Sequence, residues 1–205
     1  MSPRHAVVIS CAVEGSLDEA VLVRLIRDVG GAPGPVYGRK GKTLLRQKIQ
    51  GYNNAARGTP WLVLVDLDHD AECAPPFRDE WLPRPSPNMC FRIAVKEIEA
   101  WLLADPGHLA RFLGVPPSSV PRGSELLDHP KEVIVNLARR SRWREIREDM
   151  IPREGSGLSI GPAYSSRLIE FSQTLWRPRV AERNADSLRR CRLRITELVH
   201  RHSVH

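Results

Sequence analysis

Cysteines are scarce in this sequence and long apolar runs are missing, and each shortage excludes something. The four cysteines, Cys11, Cys73, Cys90 and Cys191, show no paired spacing. Neither a zinc site nor a disulfide framework is expected from them in a chain of this length, and reduced thiols in a cytoplasmic setting are the plain expectation. No stretch approaches the ~20 apolar residues that a membrane helix requires. The opening Met1-Ser2-Pro3-Arg4-His5 leads into a short apolar run that ends at Glu14 rather than at small residues, so a secretory leader is not expected. No Gly-x-x-x-x-Gly-Lys-Ser/Thr pattern occurs, so an ATP-hydrolysing P-loop is not encoded.

What is present is an ordinary globular composition, 41% hydrophobic and 27% charged over 205 residues, enough for one good core and a smaller appendage. The net charge of +7 is unevenly spread. Residues 1–105 hold 13 Lys and Arg against 13 Asp and Glu, whereas residues 106–205 hold 18 against 11, so the excess of 7 lies in the second half. A basic half beside a neutral one suggests a footprint for a polyanion, with solubility alone as the bland alternative.

His5 to Val13 reads as a buried strand closed by Glu14-Gly15. Ser16-Leu17-Asp18-Glu19 then opens a helix with Ser16 as N-cap and Glu19 three residues later, the capping-box spacing. Pro35 to Arg39 is a short second strand followed by the basic turn Arg39-Lys40-Gly41-Lys42 and a polar helix over 43–56. Trp61 to Val65 is a third strand running into Asp66-Leu67-Asp68-His69-Asp70, and 74–88 is Pro-rich and read as a loop. Cys90 to Val95 is a fourth strand, and Glu97 to Ala104 a helix stopped by Asp105-Pro106. The alternation predicts an α/β domain over 1–105, a mainly parallel sheet flanked by helices. Residues 106–205 are expected to form a basic helical extension packed on it, with no convincing strand and helices near 108–113, 131–141, 164–175 and 184–201.

Acids follow three of the four strands: Glu14 the first, Asp66 and Asp68 the third, Glu97 and Glu99 the fourth. Ligands of open α/β sheets bind beyond the carboxyl ends of the strands, so these acids are expected to share a crevice. Carboxylates crowded there repel one another unless a cation intervenes, and Mg²⁺ or Mn²⁺ suits hard oxygen donors. Of Glu97 and Glu99, only one would face the crevice if both are helical, since each helical step turns ~100°. In an extended segment both would lie on one side. Glu99 is preferred.

Val13-Glu14-Gly15 with Glu19, and Val65-Asp66-Leu67-Asp68-His69-Asp70, resemble the TOPRIM domain of topoisomerases, bacterial primases and OLD-family nucleases over residues 5–105. Ile93 to Asp105 and the later Trp176-Arg177-Pro178 resemble a bacterial family labelled domain of unknown function four-two-seven-six, regarded as TOPRIM-like. The resemblance implies a TOPRIM-like, Rossmann-like fold and metal-dependent hydrolysis of nucleic-acid phosphodiesters, DNA ahead of RNA, in defence or repair with a separate ATPase as partner. It makes Glu14 a metal ligand or general acid/base, and Asp66 and Asp68 metal ligands. It adds Asp70 as a third acid, Glu19 as a second acid of the OLD-like kind, and Glu99 as the acid that completes a two-metal site.

Other readings stay open. Glu19 is equally well a capping residue, Asp70 a surface acid, and His69 a loop histidine beside the cluster. Lys40 and Lys42 are candidate phosphate ligands or simply a solvated turn. Arg189 and Arg190, in a helix that also holds Arg183, Arg192 and Arg194, are candidates for nucleic-acid contact or for a solvated or subunit face. At the level of function, a TOPRIM-like binding or regulatory subunit without turnover competes with the nuclease. A phosphotransferase using Asp66 as nucleophile, in the manner of haloacid dehalogenases, is third, because its motif belongs on an early strand.

Overall fold

The structure, a computed structural model, describes residues 6–203. The chain forms an α/β fold whose four strands, β1 (Val8–Val13), β2 (Ala32–Gly38), β3 (Trp61–Asp66) and β4 (Met89–Ala94), lie in the order β2-β1-β3-β4. Every pairing is parallel, which gives a Rossmann-like sheet. Val8 is the first strand residue; the proposed start at His5 lies outside the described residues.

Alternation along the strands divides the interior into two layers. Ile9, Cys11 and Val13 of β1 and Leu62 and Leu64 of β3 face one side, where α1 (Ser16–Asp28) covers them with Val21, Leu22, Leu25 and Ile26. Trp61, Val63 and Val65 of β3 face the other, against α2 (Lys42–Ala55) and α3 (Ala74–Trp81), which contribute Leu45, Ile49, Phe77 and Trp81. Successive strand side chains point to opposite faces, and burial on both explains the nearly continuous apolar run of β3.

The helices after β4 are α4 (Ile98–Leu103), α5 (Pro106–Leu113), α6 (Pro130–Arg139), α7 (Arg144–Met150), α8 (Tyr164–Thr174), α9 (Pro178–Ala181) and α10 (Asp186–Ser203). They share a single core with the α1 layer: α8 packs on α1 and α10 along β4. Polar ties reinforce the packing. Trp176 Nε1 donates to the Trp101 carbonyl (3.2 Å), and Trp101 Nε1 to Ser187 Oγ (2.7 Å). Asp105, fully buried, accepts from the Arg177 backbone N–H (3.1 Å), Nε (3.0 Å) and Nη2 (2.6 Å). No helix among the described residues is long and apolar enough to cross a membrane.

Three local expectations are corrected. The N-cap of α1 is Gly15, one residue before Ser16, so Asp18 and not Glu19 stands at the third helical position and accepts from Gly15 N (2.8 Å). The second strand starts at Ala32, because an edge strand tolerates Pro33 and Pro35 on its unpaired side. The Pro-rich 74–88 segment contains the eight-residue α3, since Pro75 and Pro76 sit in its first turn, where no intrahelical N–H is needed.

Gly38 ends β2 at φ +89°, and a Cβ there would stand 2.2 Å from the Val13 carbonyl oxygen. That approach folds the basic turn over the end of β1, with Arg39 N donating to Val13 O (2.9 Å) and Gly41 N to Glu14 O (3.1 Å). Gly38→Ala is expected to lower stability by at least about 1–2 kcal/mol, the cost of a left-handed alanine alone, with the clash added. A denaturation midpoint equal to wild type would show that this approach is unimportant.

Candidate functional site

The strand order reverses between β1 and β3, the place where an open α/β sheet parts its loops into a crevice. Glu14 leaves β1 there and Asp66 closes β3. They are tied directly: Glu14 Oε1 accepts the backbone N–H of Asp66 at 2.8 Å. Asp18, on the first turn of α1, and Glu99, on α4, are both buried beside them. The acids after three strands are thus gathered at one end of the sheet.

Burial sets their protonation. Glu14 is pushed up from 4.5 to about 7, chiefly by loss of water, against the Asp66 N–H bond and nearby Lys42, which favour its charge. Glu99 rises to about 7 for the same main reason, with Lys131 opposing. Asp18 rises to about 6, by burial, with the Gly15 N–H opposing. Asp66 is raised well above the usual carboxylate range by burial and then by the charges of Asp18, Glu99 and Glu14. Two carboxylate oxygens, Asp18 Oδ1 and Asp66 Oδ1, are shut off from solvent with no hydrogen-bond partner. Orphaned buried acceptors are costly and call for a missing donor, water or ion.

Two lysines flank the group. Lys42, at the start of α2, reaches across to Asp68 Oδ2 (2.6 Å) and Asp70 Oδ2 (2.7 Å). Burial pulls its pKa down, but these bonds outweigh burial and leave it above the usual lysine value. Lys131, on α6, donates from its backbone N–H to Glu97 Oε2 (2.9 Å) and from Nζ to Glu97 Oε1 (3.3 Å), and Nζ lies 4.0 Å from Glu99 Oε1. Burial lowers its pKa too, and Glu99 and Glu97 more than reverse that. The Tyr164 hydroxyl, from the N-terminus of α8, donates to Glu99 Oε1 at 3.3 Å. His69 and His129 rings, 5.2 Å apart, bring the Asp68 loop against the start of α6.

The three non-glycine residues with positive φ among the described residues all follow strands at this end. They are Arg39 (+63°) after β2, Asp68 (+51°) after β3 and Lys96 (+63°) after β4. Asp68 N donates to the Lys96 carbonyl at 2.7 Å, locking two of them together. Backbone held in sparsely populated regions concentrates where a fold positions functional groups.

The sequence-derived residues therefore divide. Glu14, Asp66 and Glu99 come together; Asp68 and Asp70 form the rim, paired with Lys42. Glu19 is clasped by Arg39 (2.5 and 2.9 Å). Lys40 is exposed on the turn. Arg189 and Arg190 both pair with Asp186, and Arg190 lines a separate cleft of about 430 Å³ with Arg92 and Arg194. Asp18, Lys131 and Tyr164 were missed. Asp18 reads as helix capping, and nothing near residues 131 or 164 signals acids 34 and 65 residues upstream.

A divalent cation is the group expected at these acids from the sequence. All the donors are hard carboxylate oxygens, and two sealed ones lack a partner, which fits. Among the described residues no three His, Cys, Asp or Glu side chains are gathered as a ready metal cage, so the fit is one of donor chemistry rather than finished coordination. Comparisons with protein-family models, with curated proteins and with solved structures gave no match to this chain.

Proposed function

We propose that the chain is a metal-dependent phosphodiesterase acting on nucleic acid, with Glu14, Asp18, Asp66 and Glu99 as the acids that would hold Mg²⁺ or Mn²⁺ and Asp68 at their rim. The observation that carries this reading is the set of four carboxylates at the strand-order reversal, Asp18 and Glu99 buried and Glu14 and Asp66 half-buried, with Asp18 Oδ1 and Asp66 Oδ1 unpartnered. Four acids, two buried and two half-buried, gathered at one point are hard to account for by packing. Bound there, a divalent cation would polarise a phosphoryl oxygen and lower the pKa of a water.

The chain's own residues supply the rest. Glu14, poised near neutrality, can accept a proton from an attacking water at the working pH. Lys131 and Lys42 offer positive charge on opposite sides of the group, suited to a phosphate and to the charge that grows on it during displacement. Tyr164 holds Glu99 in one orientation. The TOPRIM resemblance of the Glu14-Gly15 and Asp66 to Asp70 motifs points the same way, and with it come a DNA substrate and a separate ATPase partner.

A second reading, a nucleic-acid-binding or regulatory subunit without turnover, is favoured by Lys42, whose ammonium already neutralises Asp68 and Asp70. Cleavage of single-stranded, linear and supercoiled DNA with Mg²⁺ or Mn²⁺ separates the two. Wild type is expected to cut, and Asp66→Ala/Asp68→Ala to lose at least about 100-fold of the rate. Binding without cutting by both proteins selects the second reading; equal cutting by both removes the carboxylates from the mechanism.

A further inference from the structure

The even charge of residues 1–105 conceals a segregation. Residues 29–65 contain no Asp or Glu, yet hold Arg39, Lys40, Lys42, Arg46, Lys48 and Arg57. This acid-free stretch builds β2, α2 and all of β3 but its last residue, Asp66. Arg39, Lys42 and Arg46 find acids elsewhere in the chain, at Glu19, at Asp68 and Asp70, and at Glu80. Lys40 and Lys48 are exposed and form no ion pair among the described residues.

Within the same stretch stands an aromatic stack whose outermost ring is open. Tyr37 of β2 lies 5.4 Å from Trp61 at an interplanar angle of 22°, and Trp61 lies 5.1 Å from Tyr52 of α2 at 24°. Trp61 and Tyr52 are buried, whereas Tyr37 is 46% exposed. The strand beneath explains the arrangement: Tyr37 pairs with Ala12, whose small side chain leaves room for the ring to lie over Trp61. The other half-exposed aromatic ring, Trp143, is covered by the Arg142 guanidinium at 4.3 Å, while no cation lies over Tyr37 among the described residues.

Tyr37 is also close to the acids. Its pairing with Ala12 puts it two residues short of Glu14 on the neighbouring strand, about 8 Å between Cα atoms at ordinary strand spacing and rise. Lys48 lies one turn from Tyr52 on the same stripe of α2, toward the Lys42 end. The opposite stripe, with Arg46 and Asn53, is engaged with Glu80, Arg84 and Ser86. The outer flank of β2 and α2 thus presents a bare ring and two free ammonium groups leading to the carboxylates. A ring that stacks and lysines that track a backbone are what an unpaired nucleic-acid strand needs; a duplex keeps its base faces covered.

We infer that this flank is the binding track for single-stranded nucleic acid, with a base stacked on Tyr37 and phosphates on Lys40 and Lys48. The inference rests on reading the carboxylates as a nucleic-acid site, and it names the strand state of the substrate and its side of approach.

Fluorescence anisotropy with labelled oligothymidylate and oligouridylate of about 15 nucleotides, in chelator so that nothing is cut, tests it. Tyr37→Ala is expected to weaken binding about tenfold, and Tyr37→Phe to stay within about twofold of wild type. Lys40→Ala/Lys48→Ala should flatten the salt dependence by about 1.4 in log–log slope, two phosphates' worth. Tighter binding of one oligomer identifies DNA or RNA as the source. Failure of wild type to bind either strand, unchanged binding by Tyr37→Ala, or a loss with Tyr37→Phe equal to that with alanine overturns the inference. Tyr37→Leu, which keeps bulk at the surface without a ring, should bind like alanine while melting like wild type; wild-type binding by this variant would also overturn it. Binding as expected without any cleavage in the earlier assay removes the hydrolytic reading and leaves this one standing. Cleavage that ignores Tyr37 and prefers duplex does the reverse.

Discussion

At neutral pH without divalent cations, Glu14→Gln is expected to melt higher than wild type. The glutamine oxygen can still accept the Asp66 N–H, while the charge opposed by burial and by Asp18 and Asp68 is removed. A carboxyl whose pKa moves from 4.5 to about 7 on folding binds more protons in the native state, so native stability falls as pH rises through that window. Above about 7 the full cost is present, and below about 4.5 it is gone. The shift, with the opposing pull of Lys42 already in it, corresponds to on the order of 3 kcal/mol, or roughly 6–12 °C for a chain of this size. The advantage of Glu14→Gln should therefore shrink as pH is lowered toward 5. Added Mg²⁺ or Mn²⁺ should raise the melting temperature of wild type at neutral pH and do little for the variant. A variant that melts below wild type at every pH would mean that Glu14 is a structural acceptor and nothing more.

The second large effect concerns Asp105 and Arg177. Asp105 is wholly buried and its side-chain hydrogen bonds all come from Arg177, whose own side chain is 43% exposed, while His108 Nδ1 stands off at 3.9 Å. The pair is asymmetric. Arg177→Ala strands a buried carboxylate with one backbone N–H, and is expected to cost about 3–5 kcal/mol, on the order of ten degrees of melting temperature. Asp105→Ala leaves a guanidinium that water can reach, so it should cost less. The double substitution should be more stable than Arg177→Ala alone, because it removes the uncompensated charge. Thermal melts of the three variants decide this, and additive losses would show that the pair is not coupled.

Much of this was legible before the fold was known, and the reasons differ by element. β1, β3 and β4 announce themselves as apolar runs followed by acids, a pattern that follows from burial on both faces with polar groups gathered beyond one end. β2 is blurred because Pro33, Gly34 and Pro35 look like a break, though an edge strand accepts them. α3 is hidden by prolines that open helices as readily as they end them. In the site, Glu14, Asp66 and Glu99 were visible from their positions after strands. Asp18 was obscured by a one-residue error in the helix start, which gave its place to Glu19. Lys131 and Tyr164 could not be read at all, since only the packing of α6 and α8 brings them to residues far behind them in the chain. The charge count misled as well: an average over 105 residues hid 37 consecutive residues without an acid.

The hydrogen bond from Tyr164 to Glu99 bears on how the molecule comes into being. During synthesis the four strands and α4 emerge well before α8, and N-terminal structure generally forms first. In that interval α1 lacks the helix that packs on it, and Glu99 lacks its hydroxyl partner. The enclosure that raises the pKa values of Glu14, Asp18 and Glu99 is therefore expected to be completed only when the later helices dock. On that order of emergence, helices that leave the ribosome late are the ones that seal the acids.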